Sequence, residues 1–363
     1  MLAMSSNKTT DFYYCKKPLH KMTRIERVHI ANHLRIEYPL FKELLVEIED
    51  CHLLQLAGTV EPDCILIWGA TGAGKSTLLN AYAKRYSRFE TESGDVVPVL
   101  NAVVPAPATV KDMASKLLQR LGDPGYDKGT TGSKTIRLFN LLKDCQTELI
   151  LLDELNHLFD RDSEKLLKTA SDWLKCLILE TKIPIVAFGL PSSEFILSKE
   201  NNEQLSRRFS QKFYLEPFHW FVDNNQNSSG SEEGEMFRKF LFILDEKLPL
   251  LERSKLANKE IAKSIFYATD GIIGYVMKLI RAALQMALRQ EKESITVGML
   301  AASFDRHIKQ DKPGKVNPFI HDFSLIDVPN LSSEAVKIQL KATNRRLKNK
   351  GSHQTRASQI LKT

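Results

Sequence analysis

The stretch Gly69-Ala70-Thr71-Gly72-Ala73-Gly74-Lys75-Ser76-Thr77 fits the pattern GxxxxGK[ST]. Glycines at these positions let the backbone turn tightly and aim successive N–H groups at phosphate oxygens. A helix opening at the end of the loop adds the positive end of its dipole. In that chemistry Lys75 reaches the β- and γ-phosphates of ATP, and the Ser76 hydroxyl ligates Mg²⁺. A second constellation follows at Leu149-Ile150-Leu151-Leu152-Asp153-Glu154, a fully apolar run that ends in two carboxylates. Asp153 is expected to hold the Mg²⁺ shell and Glu154 to polarise the attacking water. Acids also follow apolar runs simply to cap the next helix. Here the pair comes after the phosphate loop, with room between them for a strand and two helices, so the two motifs read as halves of one site.

Two further groups fit residues that act on a nucleotide from elsewhere. Arg207 and Arg208, in Leu205-Ser206-Arg207-Arg208-Phe209, stand where an arginine finger from a neighbouring subunit would stabilise charge on the transferring phosphoryl group. The pattern does not choose between them, and a solvated surface pair is the ordinary alternative. Such a finger would make hydrolysis depend on an oligomer. In Asp270-Gly271-Ile272-Ile273-Gly274-Tyr275 and the helix that continues it, Lys278 or Arg281 could supply a second, basic sensor; otherwise both are helix-surface charges. Phe188-Gly189-Leu190-Pro191-Ser192 offers only Ser192 where a polar γ-phosphate sensor is usually found.

Apolar periodicity places these groups on elements. Between Thr23 and Leu56 it predicts two helices, separated at Pro39 and ended by Gly58. Cys64 to Trp68 reads as the buried strand that leads into the phosphate loop, and Thr77 to Tyr86 as the helix that leaves it. Then come a β-rich stretch (Val96–Val104), helices at Val110–Leu121 and Thr135–Cys145, and the strand Glu148–Leu152. A long helix (Ser163–Thr181), a strand (Ile183–Phe188), a helical turn (Ser192–Leu197) and a last strand (Gln211–Leu215) follow. Strands alternating with helices imply a parallel sheet covered on both faces. Beyond an Asn/Ser/Gly/Glu-rich stretch only helical patterns recur: Phe237–Leu244, Ile261–Ala268, Ile273–Leu288 and Val297–His307. The expected organisation is a flexible arm (1–20), an α/β ATPase core with N-terminal helices (21–222), a linker (223–235) and a small helical lid domain (236–308). A basic, partly disordered tail (309–363) completes it, lysine- and arginine-rich from Lys337 to Lys362.

The bulk numbers agree with a globular, nucleic-acid-facing protein. The chain has 363 residues, 43% hydrophobic and 26% charged, with a formal net charge of +7. A positive balance favours polyanionic partners. The five cysteines form no CxxC pair and read as buried reduced thiols rather than as a metal or redox motif. His29 and His33 stand at i, i+4 without a third ligand beside them. The first seventeen residues lack the apolar core of a signal peptide, and no apolar run approaches the roughly 18 residues of a membrane span. A cytoplasmic protein without membrane contact is expected.

Taken together, GATGAGKST, LILLDELNHLFD, IPIVAFGLPSS, QLSRRF and TDGIIGYVMKLIRAAL resemble the TniB/TnsC family of AAA+ transposition ATPases over roughly Met22 to Ala302. The resemblance implies a P-loop AAA+ fold, with a parallel sheet core in three layers and a small helical lid. It also implies ATP binding, oligomerisation on double-stranded DNA into rings or filaments, and a link between a target-selecting protein and the transposase, with hydrolysis resetting the polymer. The target selector in relatives is a DNA-binding protein, TniQ-like, or a CRISPR complex. In related ATPases the region after the second strand faces the DNA, which here points to Thr109, Lys111 and Lys116 as phosphate contacts with little sequence preference. The tail is compatible with binding DNA or docking the transposase. The competing reading is another AAA+ protein, a helicase loader or replication initiator.

Overall fold

The computed structural model describes residues 17–56, 61–92, 94–106, 108–159, 164–197, 203–220 and 233–325. The expected stop at Gly58, nearly all of the arm and of the linker, and the basic segment from Lys337 to Lys362 lie outside them.

In chain order the first half contains α1 (Arg24–His33), α2 (Pro39–Leu56), β1 (Ile65–Trp68), α3 (Lys75–Ala83), β2 (Phe89–Thr91), β3 (Gly94–Val96), β4 (Val99–Val103), α4 (Val110–Leu121), α5 (Thr131–Asp144) and β5 (Leu149–Asp153). The second half contains α6 (Asn156–Phe159), α7 (Glu164–Thr181), β6 (Ile185–Gly189), α8 (Pro191–Ile196), α9 (Glu203–Arg208), β7 (Gln211–Tyr214), α10 (Glu235–Lys247), α11 (Lys259–Thr269), α12 (Ile273–Arg289) and α13 (Val297–His307). They fall into two compact units. Among the described residues, Leu40–Thr71 with Lys75–Glu216 form one; the other takes the chain up to Pro39, Gly72–Gly74 and Pro217–Pro329.

The first unit is built on a five-stranded sheet in the order β4-β5-β6-β1-β7. All its pairings are parallel. Strand β6 therefore lies between β1, which carries the phosphate loop, and β5, which carries Asp153. β1, β5 and β6 are buried at every position, which is why each reads as an unbroken apolar run rather than an alternation. Met113, Leu117, Leu118 and Leu121 of α4 and Trp173, Leu174, Leu177 and Ile178 of α7 pack into the same core. Truncating one of the fully buried leucines there to alanine costs about 2–5 kcal/mol.

The two N-terminal helices are parted ahead of Pro39, as expected: Pro39 opens the second, where a missing N–H is harmless and its fixed φ suits a first helical residue. Two local expectations are revised. The stretch Val96–Val104 is not one strand. Pro98 breaks it, its carbonyl accepting from the N–H groups of Glu148 and Leu149 at 2.8 and 3.1 Å, and a small antiparallel hairpin of β2 and β3 precedes it. The thiols are not uniformly buried: Cys51, Cys64 and Cys145 are, but Cys176 is exposed, because α7 turns 173, 174, 177 and 178 inward and 176 outward. Burial pushes the Cys51 and Cys64 thiols up to about 12.

The second unit is helical. α12 packs against α13 and α1, and Arg27 of α1 donates to both carboxylate oxygens of Glu293 at 3.0 and 2.8 Å. Residues 309–325, which composition groups with the tail, are folded onto this unit: Lys312 and Lys315 pair with Asp270, and Asn317 donates to Ala301 and Asp305 at 3.0 and 2.9 Å. Among the described residues no single helix is long and apolar enough to cross a membrane.

Candidate nucleotide-binding site

β1 ends in the phosphate loop, and Gly69 at its exit donates its N–H to the Gly189 carbonyl at 3.2 Å. Gly72 and Gly74 have φ of +81° and +106°, a left-handed geometry that side chains other than glycine resist. α3 then starts at Lys75, with Ser76 and Thr77 exposed in its first turn. Lys75 is 5% exposed, yet its ammonium donates to two carbonyls, those of Gly69 and Ala70, at 2.9 and 3.0 Å. Burial lowers the pKa of this ammonium, while the Glu154 and Asp153 carboxylates act to raise it. The lysine and both carboxylates thus converge at the C-terminal edge of the sheet, at the ends of β1 and β5 with β6 between them, where open α/β sheets hold their ligands.

Asp153 is the last residue of β5 and is buried. Its Oδ1 accepts the N–H of Glu154 at 2.9 Å, and its own carbonyl accepts from Val104 at 2.9 Å. Glu154 stands at φ +55°, an uncommon conformation for a residue with a side chain. Neighbours hold it there, since Leu155 donates its N–H to the Phe188 carbonyl of β6 at 2.8 Å. This donor set fits Mg²⁺. That ion is bound by one or two carboxylates and a hydroxyl with substrate phosphates and water, rather than by an all-protein cage; among the described residues no three metal-ligating side chains cluster.

Beside the end of β6 stand two polar residues that the sequence pattern did not single out, Asn156 of α6 and Ser193 of α8. Asn156 is 4% exposed and its Oδ1 accepts the Leu190 N–H at 3.2 Å. Ser193 is fully buried and its Oγ has no hydrogen-bond partner; a Cβ at Gly189 would strike it. Ser192, the expected candidate, is only half-buried. The chain signal for Asn156 was its place two residues after Glu154, at the start of α6.

The remaining expected residues separate clearly. Arg207 lies on α9 with its side chain 73% exposed and an i, i+4 pair to Glu203 at 2.8 Å. Arg208 is 16% exposed at its side chain, 4.0 Å from Glu61, and its carbonyl holds Cys64 at the head of β1. Lys278 pairs with Asp311 at 2.6 Å. Arg281 donates to the carbonyls of Ala31 and Asn32 at 3.0 and 2.9 Å, which engages it structurally. Thr109 caps α4, its hydroxyl exchanging hydrogen bonds with Asp112. Lys111 is exposed, and Lys116 donates to Gln119 at 3.0 Å.

The family model of the bacterial TniB protein matches residues 24–219, more than half of the chain. The chain belongs to the TniB family. The match takes in the phosphate loop, Asp153 and Glu154, and both arginines of α9. No curated protein sequence matches this TniB-family chain. Among solved structures it is similar to the Aeropyrum pernix Orc1 protein in complex with DNA, at 18% identity and TM-score 0.52, over 80% of this chain and 70% of that one. It is also similar to the A. pernix Orc2 protein in its ADPNP–ADP complexes, at 15% identity and TM-score 0.53, over 80% and 72%. Cdc6p from Pyrobaculum aerophilum matches at 12% identity and TM-score 0.55, over 79% and 74%. The likeness is one of fold: an α/β core on a parallel sheet with a phosphate loop.

Proposed function

We propose that this TniB-family chain is an ATPase that assembles on double-stranded DNA and regulates transposition, linking a target-selection protein to the transposase. The observation that carries the reading is the convergence of Lys75, Asp153 and Glu154 at one sheet edge in a chain of this family. In the proposed site, Gly69 opens the loop and backbone N–H groups of Ala70, Thr71, Gly72, Ala73 and Gly74 cradle the phosphates with Thr77 beside them. Lys75 exchanges its carbonyl partners for phosphate oxygens. Ser76 and Asp153 would hold Mg²⁺, which when bound would supply positive charge to the phosphate oxygens. Glu154 orients and deprotonates the attacking water. Arg207, exposed and held by an exposed i, i+4 pair to Glu203, is the residue suited to reach a neighbouring subunit; Arg208 is tied into its own. Lys278 can approach a nucleotide only by giving up Asp311. Lys111 and Lys116 supply phosphate contacts to DNA, and Thr109 supports them by fixing the helix start. We assign 236–308 as the lid and the basic tail to DNA or transposase docking.

The test is steady-state ATP hydrolysis with and without duplex DNA, paired with electron microscopy of the same samples. Rings or filaments in ATP and DNA, with hydrolysis that depends on them, support the proposal. Monomers under those conditions contradict it, and co-purification with a replicative helicase in place of a transposase would favour the loader reading.

A further inference from the structure

We infer that Gly274 is a positioning residue for the phosphate loop, acting through its backbone rather than through a charged side chain. The inference deepens the nucleotide-site reading and rests on it. Helix α12 begins after Ile272 with no side-chain cap, so its first-turn N–H groups need other partners. Gly274 donates its N–H to the Gly72 carbonyl at 2.8 Å. The loop carbonyl thus serves as a cap of the helix, and the helix in turn fixes the orientation of the peptide that follows Gly72.

The packing there leaves no room for a side chain. A Cβ at Gly274 would lie 2.9 Å from both the Cα and the carbonyl oxygen of Gly72, and one at Gly72 would lie 3.3 Å from Cγ2 of Ile272. Contact under about 3 Å requires the backbone to move, and the backbone that would move is phosphate-cradling loop.

The start of α12 is itself pinned. Asp270 and Gly271 are both left-handed, at φ +54° and +68°. Gly271 accepts the Phe218 N–H at 3.0 Å, and a Cβ on it would strike the Phe218 carbonyl. Asp270 is buried and clamped by Lys312 and Lys315, the second of which also donates to the Tyr267 carbonyl. The strap 309–325 therefore sets the turn that sets the loop. The basic side chains of α12 do not compete for this role, since Lys278 and Arg281 are engaged with Asp311 and with the carbonyls at the end of α1.

The experiment measures affinity for a fluorescent ATP analogue, without DNA, in the full chain and three variants, and amide exchange at the start of α12 in nucleotide-free protein. Gly274→Ala should weaken nucleotide binding by on the order of tenfold, within the usual range of coupling between linked sites. It should also speed exchange at 272–276. Gly298→Ala, at the matching place in α13 where an added Cβ meets only Thr296 Oγ1 at 4.0 Å, should change neither. Asp270→Asn, which tolerates the left-handed turn but loses the ion pairs, should weaken binding less. It stands in if Gly274→Ala does not fold. Parent-like affinity in Gly274→Ala, or in Asp270→Asn when only that variant folds, overturns the inference while leaving the site reading intact, and so does an equal loss in Gly298→Ala. A parent chain that binds no nucleotide removes both.

Discussion

Lys75, Asp153 and Glu154 are individually ordinary residues whose surroundings are not. A buried ammonium is tolerated only when paired and hydrogen-bonded. Here two loop carbonyls and two nearby carboxylates do that work, and burial still lowers its pKa. The two arginines of α9 are neighbours in sequence but differ in environment, exposed for Arg207 and packed near Glu61 for Arg208. Replacing Arg207 by alanine should leave folding stability within about 0.5 kcal/mol while lowering turnover by about 10³-fold or more, the usual worth of an arginine finger. Arg208→Ala should show the reverse, a lowered melting temperature with turnover per folded protein retained. Calorimetry and an ATPase assay on both variants check this, and loss of turnover only in Arg208→Ala would reverse the assignment. These roles were not separable in the sequence, because adjacent residues on a short helix share every local signal and differ only in which face packs.

Elements explain what the residue types alone leave ambiguous. The sequence offers Thr109 as a phosphate contact, and in the structure α4 also begins after it with a full capping box. Thr109→Ala should destabilise the protein by about 1 kcal/mol in a urea melt, the cost of a lost cap, with the salt slope of DNA binding unchanged. A shallower slope would restore it as a phosphate contact. His52 of α2 sits fully buried between Tyr82 of α3 and Glu148 ahead of β5, hydrogen-bonded to both at 2.9 and 3.1 Å. Burial lowers its pKa, opposed by the Glu148 hydrogen bond and by Glu148 and Glu49 charge. A base with a depressed folded pKa lets the unfolded chain take up the proton first, so stability should fall as pH drops below about 6.5. His52→Gln should flatten that part of the stability profile; an identical pH slope would show that other groups cause it. The strands β1, β5 and β6 were legible because each is buried on both faces and so apolar throughout. The β2–β3 hairpin was not: β2 is three exposed residues, with no alternation to betray it.

At the scale of the molecule, strand order does the positioning. Placing β6 between β1 and β5 separates the phosphate loop from the acidic strand end by one strand, enough for a triphosphate and its metal, and lets β6 brace both through Gly189 and Phe188. That architecture was readable from the alternation of apolar runs and helical periods. The packing of 309–325 was not, because lysines and two prolines read as solvated chain until Asp270 is found buried beneath two of the lysines. Nucleotide binding underlies every claim made above about assembly and DNA. The decisive measurement is equilibrium binding of a fluorescent ATP analogue, with Mg²⁺, to the parent chain and to Lys75→Ala protein of matched secondary-structure content. The parent should bind and the variant should not. Equal binding by the two proteins would contradict the account.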